Sequence, residues 1–199
     1  MARRLLITLL GPVRWSPPGT DPNRWQAALA EDVVDLIATL SEVEPAIAAA
    51  AEQRALADAV VWPGMPIYDL PARTVGAALA AAAADGYDQA AVIVADAPDL
   101  PGLILGKLLR PLTSRSVAIA PAAPGPGLFG VAARLPAPDW LSAIDLDTAD
   151  ADTLRAAAPD PAEVAVTPGW RRLRSPAELA TLDPAVEGWD TTRTLLSAP

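Results

Sequence analysis

The sequence predicts an α/β protein with a mainly parallel, doubly wound sheet and helices on both of its faces. Three observations predict it. Short apolar runs alternate with helical patterns along most of the chain, the order that builds parallel sheets. The run Ala91-Val-Ile-Val-Ala95 is fully apolar and ends in Asp96-Ala-Pro98-Asp99, as a buried strand does when it delivers carboxylates to the carboxyl end of a sheet. A length of 199 residues with 52% hydrophobic content suits one domain with a sizeable core. No repeat or boundary divides the chain. Residues 1–199 are therefore expected as one domain, with residues 183–199 a tail packed on it.

The elements follow in order. Leu5 to Leu10 reads as the first strand. Gly11 to Asn23 is a Gly- and Pro-rich loop, and so long a loop after a first strand is often functional. Asp21-Pro22 places a cap and a first-turn proline at the start of a helix. Trp25, Leu29, Val33, Leu36, Ile37 and Leu40 give that helix one apolar face. Ala46 to Ala51 fits a short strand or a helix, because alanine carries little signal. Ala57 to Trp62 reads as a strand stopped by Pro63-Gly64, and Met65 to Leu70 as extended chain. Thr74 caps a helix through Ala84, which Gly86 ends. Pro101 to Leu109 is helical, Val117 to Ala120 a strand, and Leu128 to Ala133 a return to the sheet. Pro138 to Ile144 and Thr148 to Ala157 look helical, and Val164 to Val166 is a short strand. Ser175-Pro-Ala-Glu178 fits a capping box. A last helical turn is expected near Thr191 to Leu196, with Trp189 as anchor.

Composition removes whole classes of chemistry. Cysteine and histidine are both absent, which excludes disulfides, thiolate zinc sites, cysteine nucleophiles, His-ligated metals and Ser-His-Asp triads. Carboxylates, arginines, the single Lys107, hydroxyls, backbone amides or a cation remain. A net charge of −9 repels polyanions, so no nucleic-acid polymer is expected as partner. A small anionic ligand is compatible if its pocket supplies local positive charge. No apolar run nears the ~20 residues of a membrane span. The N-terminal apolar stretch ends at Gly11-Pro12, short of the ~7–15 residues of a secretion signal. A cytoplasmic protein is the expectation, with room for a homo-oligomer.

Neither a dinucleotide glycine fingerprint nor a P-loop occurs. The candidate site is therefore built from three stretches that a doubly wound sheet can bring to one edge. Asp96 and Asp99 are the candidate catalytic carboxylates and the candidate ligands of a hard cation, Mg or Mn. Their ordinary roles would be a turn and a helix cap. Gly11 and Arg14 of the first loop, with Gly125 and Gly127 of the Pro124-Gly-Pro-Gly127 loop, are the candidate ligand-binding positions. In that scheme the cation bridges two phosphates and offsets charge on the departing one. Arg14 binds further phosphate charge, and the acceptor approaches the Gly125/Gly127 loop. Arg171, Arg172 and Arg174 either pair with the protein's own acids or bind phosphate directly in place of the cation. Asp145 and Asp147 fit extra cation ligands or an acidic helix start. Trp15 is placed to stack on a base, whereas Trp25, Trp62 and Trp140 read as core anchors.

Three stretches carry a family resemblance: Trp25-Gln-Ala-Ala-Leu-Ala-Glu-Asp-Val-Val-Asp-Leu36, Gly86 to Leu100 with its D-x-P-D-L word, and Asp147-Thr-Ala-Asp-Ala-Asp-Thr-Leu154. They resemble the bacterial radical-SAM/selenodomain-associated glycosyltransferases. That family has the Rossmann-like nucleotide-diphospho-sugar transferase fold, also called the type A glycosyltransferase fold. The 2-phospho-L-lactate guanylyltransferases are more distantly similar. The likeness spans roughly residues 5–182, and D-x-P-D-L is its specific word. It implies a transferase using a nucleotide or nucleotide sugar, assisted by a metal. Three motifs depart. The family's V-K-T-R-L after the first strand is here Gly11-Pro-Val-Arg14-Trp15-Ser16, with one basic residue. Its D-G-G-Y is here Pro124-Gly-Pro-Gly127. Its late D-V-D-T-P-x-D-L is here Arg172-Leu-Arg174-Ser175-Pro-Ala-Glu-Leu179, so an aspartate pair has become an arginine pair. The alternative that these departures support is a catalytically degenerate relative that binds a nucleotide or a protein. A third option is a structural partner in a complex, for which an exposed apolar patch would be the sign.

Overall fold

The computed structural model describes residues 2–183 and 185–197. Seven strands form one sheet: β1 (Arg4–Leu9), β2 (Glu44–Ala50), β3 (Ile67–Leu70), β4 (Gln89–Val94), β5 (Val117–Pro121), β6 (Leu128–Arg134) and β7 (Val164–Val166). Their order is β3-β2-β1-β4-β6-β5-β7. β6 runs antiparallel to both its neighbours, and the other pairings are parallel. The expected α/β class therefore holds, with one reversed strand in a mostly parallel sheet. β1 and β4 are buried nearly throughout, as strands covered on both faces must be.

The helices are α1 (Pro22–Ala38), α2 (Arg54–Val60), α3 (Val75–Ala84), α4 (Gly102–Leu109), α5 (Ala151–Ala157), α6 (Pro176–Leu179) and α7 (Asp190–Ser197). Local chemistry sets several of their ends. The Asp21 carboxylate accepts from the Arg24 amide at 2.9 Å, with Pro22 in the first turn. Thr74 caps α3 by accepting from the Ala77 amide, and Gly86 follows α3 at φ +78°. In α6 the Ser175 hydroxyl bonds to the Glu178 carboxylate, side chain to side chain. It makes no bond to the backbone there, so the expected capping box is not formed.

Two element expectations change. Ala57 to Trp62 is not a strand, because residues 54–60 form α2. Ala57 and Val60 lie one turn apart and are buried together with Ala30 and Val34 of α1 and Ile47 and Ala49 of β2. The strand position beside β2 belongs to β3. Pro138 to Ile144 holds only a 3-10 turn at Asp139–Leu141, because its Ile144 carbonyl accepts from the first amide of α3. The ambiguous alanines at 46–50 are strand. Trp25 is in the core as expected and Trp140 packs on its margin, but Trp62 is 46% exposed and donates to Asp35 at 2.7 Å.

The C-terminal helix is tied down from α1. Asp32 is buried and accepts from the Thr191 and Thr192 amides at 2.9 Å each. Leu195 and Leu196 then join Trp25, Leu29 and Leu173 in an apolar cluster that also takes in Val13 and Trp15. Trp189 is buried, as an anchor should be. Pro184, Ala198 and Pro199 of the predicted tail lie outside the described residues.

Candidate functional site

Strand order reverses between β1 and β4. The chain moves from β1 to β2 and β3 on one side, then returns to place β4 on the other. The crevice at the carboxyl ends of such strands is where open α/β sheets bind ligands. The loop after β1 brings Gly11 and Arg14 there, and the turn after β4 brings Asp96. Arg73 follows β3, and the chain after β7 brings Arg171, Arg172 and Arg174. The antiparallel β6 starts at the same edge, so the 122–127 loop lies there too.

The post-β7 segment is held in place by backbone bonds. Ala123 donates to the Trp170 carbonyl at 3.0 Å, and Leu173 to the Asp96 carbonyl at 2.7 Å. Gly169 permits this approach, since a Cβ there would lie 1.8 Å from the Pro121 carbonyl oxygen. The consequence is a cluster of guanidinium and carboxylate groups. Arg172, 5% exposed, is at its centre. Its Nε and Nη2 bind both Asp96 oxygens at 2.7 and 3.0 Å, and Nη2 also binds Asp147 Oδ1 at 2.8 Å. Its Nη1 binds the Leu128 and Leu146 carbonyls at 3.1 Å each. Those five bonds use every N–H that a guanidinium has.

Arg174 adds a bond to Asp96 Oδ2 at 3.1 Å and a second to Asp147. Arg73 Nη2 binds Asp147 Oδ2 and reaches Asp145 at 3.3 Å. Arg14 makes a looser pair with Asp147 at 3.5 Å and keeps 56% of its side chain exposed. Burial alone would raise the Asp147 carboxyl. Arg172, Arg73 and Arg174 outweigh that and hold its pKa at about 2, well below the usual 3.8.

Asp99 is set apart from this cluster. It is buried, accepts from the Trp170 indole N–H at 3.2 Å and pairs with Arg171, whose guanidinium stacks on the Trp170 ring. Asp99 thus clamps the segment that carries the arginines, and among the described residues none bonds both Asp96 and Asp99. The folded chain brings Gly11 and Asp96 to one cleft, and Arg14 reaches that cleft's wall through Asp147. A Cβ on Gly11 would meet the Arg73 guanidinium at 2.7 Å. Gly127, at φ +91°, lies under the Leu146 and Asp147 carbonyls, with 2.6 Å from its would-be Cβ to the nearer oxygen. Gly125, at φ +111°, meets nothing within 4 Å and serves the turn. Trp15 is engaged edge-on by Trp25 at 6.1 Å. Arg73 is the site residue that the sequence reading missed. Its one signal was position: a basic residue just after a strand and just before a helix cap.

Gly11, Arg73, Asp96, Asp147 and Arg172 border a narrow cleft, and Gln26 lines it too. Gln26 donates to the Gly11 carbonyl at 2.7 Å and so holds the first loop. Inside the cleft is about 20 Å³ of room, within an outline of about 360 Å³ that includes its open mouth. The interior takes about one water molecule. A larger ligand must lie across the mouth. Five arginines face four aspartates here, in a chain whose overall charge is −9.

No known protein family and no curated protein matches the sequence. Solved structures do match. One is a protein of Desulfovibrio desulfuricans assigned provisionally as a nucleotide-diphospho-sugar transferase. It matches at a TM-score of 0.67 and 20% identity, over 98% of this chain and 94% of that one. The fold is that of the nucleotide-diphospho-sugar transferases. The 4-diphosphocytidyl-2C-methyl-D-erythritol synthase of Anaerococcus prevotii matches at 0.62 and 10% identity, over 90% and 93%. The glucosyl-3-phosphoglycerate synthase of Mycobacterium tuberculosis, solved with Mg²⁺ and uridine diphosphate, matches at 0.54 and 14%, over 98% and 76%. At these identities the likeness is one of fold. Among the described residues no helix is long and apolar enough to cross a membrane.

Proposed function

We propose that this chain is a transferase acting on a nucleotide-linked donor, by glycosyl or nucleotidyl transfer, at the crevice between β1 and β4. The observation that carries the reading is the row of arginines at that crevice. Arg14, Arg73 and Arg174 retain N–H donors that no described residue accepts; Arg73 lines the cleft at the ligand-binding edge of the sheet, and Arg14 and Arg174 pair with Asp147 in its wall. Guanidinium forks match phosphate oxygens. Fixed donors aimed at a departing phosphate stabilise the charge that develops there. The acceptor would approach past Gly125, where nothing stands within 4 Å, whereas Gly127 is covered by the Leu146 and Asp147 carbonyls. A cytoplasmic location, where nucleotide-linked donors are made and used, goes with this reading.

The cation implied by the family resemblance does not fit the side chains as they stand. Both oxygens of Asp96 accept from Arg172 and Arg174, both of Asp147 accept from arginines, and both of Asp99 accept from Trp170 and Arg171. Among the described residues no three acids are grouped to hold a metal.

The same engagement favours a second reading, a catalytically silent relative that binds a nucleotide or a protein, because Asp96, Asp99 and Asp147 each have both oxygens occupied by donors. Thermal-shift screening against nucleoside triphosphates and nucleotide sugars, followed by mass spectrometry of the donor, separates the two. Selective stabilisation with donor consumption supports the transferase. Stabilisation without consumption supports the silent binder. No stabilisation by any nucleotide removes the transferase reading and leaves a protein partner.

A further inference from the structure

We propose that Arg172 is a built-in cation that takes the place of a divalent ion, so that this crevice binds a diphosphate group without metal. The inference rests on the transferase reading only for the nucleotide part of the ligand.

The surroundings of Arg172 are those of a hard cation. Its guanidinium is held by five oxygen contacts: two to Asp96, one to Asp147, and one each to the Leu128 and Leu146 carbonyls. A carboxylate-and-carbonyl oxygen shell is what Mg²⁺ or Ca²⁺ takes. Here a covalently tethered, permanently charged group occupies it. A divalent ion would have to expel that group, or sit beside it against like charge. Asp96 and Asp147 are thereby drawn together from different elements, after β4 and before α5, as a shared metal would draw them.

Arg172 has no N–H left, so it cannot touch the ligand. Binding falls to its neighbours. Arg73 uses only Nη2, leaving Nε and Nη1 without a partner among the described residues. Nη1 stands over Gly11, at the rim of the cleft. Arg174 Nη1 has one long contact, 3.5 Å to the Pro126 carbonyl. Arg14 is tied only loosely and is more than half exposed. Three guanidinium groups with donors to spare suit a ligand bearing two adjoining phosphates, since each planar fork engages one phosphate face. The cleft is too narrow to admit that group, so it lies across the mouth.

The test is isothermal titration of the full chain with inorganic pyrophosphate and with nucleoside diphosphates, in chelator and again in Mg²⁺ with Mg–pyrophosphate corrected for. In parallel, free Mn²⁺ is measured by electron paramagnetic resonance as protein is added without phosphate. The expected result is pyrophosphate binding in chelator within about twofold of that in Mg²⁺, and no Mn²⁺ uptake. Arg73→Gln and Arg14→Gln should each weaken pyrophosphate by about tenfold or more. Binding that appears only with Mg²⁺, or Mn²⁺ uptake by the wild-type chain, overturns the inference and leaves the transferase reading standing. Pyrophosphate binding in chelator with no response to any nucleotide supports the inference and removes the transferase reading. Binding of neither, in either buffer, overturns both.

Discussion

Replacing Arg172 by methionine keeps much of the side chain's bulk while deleting a charge and all five of its hydrogen bonds. Asp147 would keep Arg73, Arg174 and the loose Arg14 pair, while Asp96 would keep Arg174 alone. The Leu146 carbonyl would still accept from the Leu128 amide at 2.7 Å. Removing one partner of a buried ion pair costs about 3–5 kcal/mol, because the other charge is left stranded. The remaining arginines place this site at the lower end of that range, about 3 kcal/mol. Such a loss lowers the midpoint of urea denaturation by about 1–2 M for a slope of ~2 kcal/mol per molar. The assay is urea unfolding followed by fluorescence of the six tryptophans. Arg172→Lys restores the charge with three donors instead of five and should recover about half of the loss. Combining Arg172→Met with Asp147→Asn should cost less than the sum of the two, by about 1 kcal/mol or more, since no stranded carboxylate is then left at Asp147. A loss below about 1 kcal/mol in Arg172→Met, or strict additivity in the double variant, would refute the picture of a charge-locked centre.

Two other predictions follow from single carboxylates. Asp147 is held at about 2 in the folded chain against an ordinary 3.8, so its contribution is fully present above about pH 4 and lost as pH falls toward 2. It should amount to about 2 kcal/mol. The stability gap between wild type and Asp147→Asn should therefore close on acidification, and a gap that stays constant from pH 7 to pH 2 contradicts the assignment. Asp32→Ala removes both acceptors from the start of α7 and should cost about 1–2 kcal/mol. Hydrogen exchange should then speed up in residues 190–197 while α1 stays protected, and unchanged protection of α7 would mean that its apolar contacts suffice.

Most of the fold was legible because local signals and tertiary demands agreed. The Asp21-Pro22 start of α1 and the Thr74 and Gly86 limits of α3 are set by side chains within a few residues of the backbone groups they serve. The apolar run before Asp96 could only be a buried strand. The failures share a cause as well. Residues 57–62 carry the Val60-Val61-Trp62 run of a strand, yet Ala57 and Val60 are buried one helical turn apart against α1 and β2, and the place beside β2 is taken by β3. Trp62 has the size of a core residue, but Pro63-Gly64 turns the chain there and leaves its ring outside.

At the site, the division is sharper. The sequence by itself determined which groups were available. With no histidine, no cysteine and a single lysine, carboxylates and arginines were nearly all of the charged groups that could assemble, and the Asp96 word marked the edge where they would meet. It also showed arginines at positions 172 and 174, a few residues beyond the last strand. Only the tertiary structure decided what those arginines do. Arg172 and Asp96 are 76 residues apart in sequence, and their pairing depends on β7 docking beside β5 so that the chain beyond it crosses the end of β4. Arg73 enters from another strand end altogether. An ion-pair network of this kind is a property of non-local backbone placement, and no local pattern encodes it. The same placement separates Asp96 from Asp99, which three residues of sequence had put together.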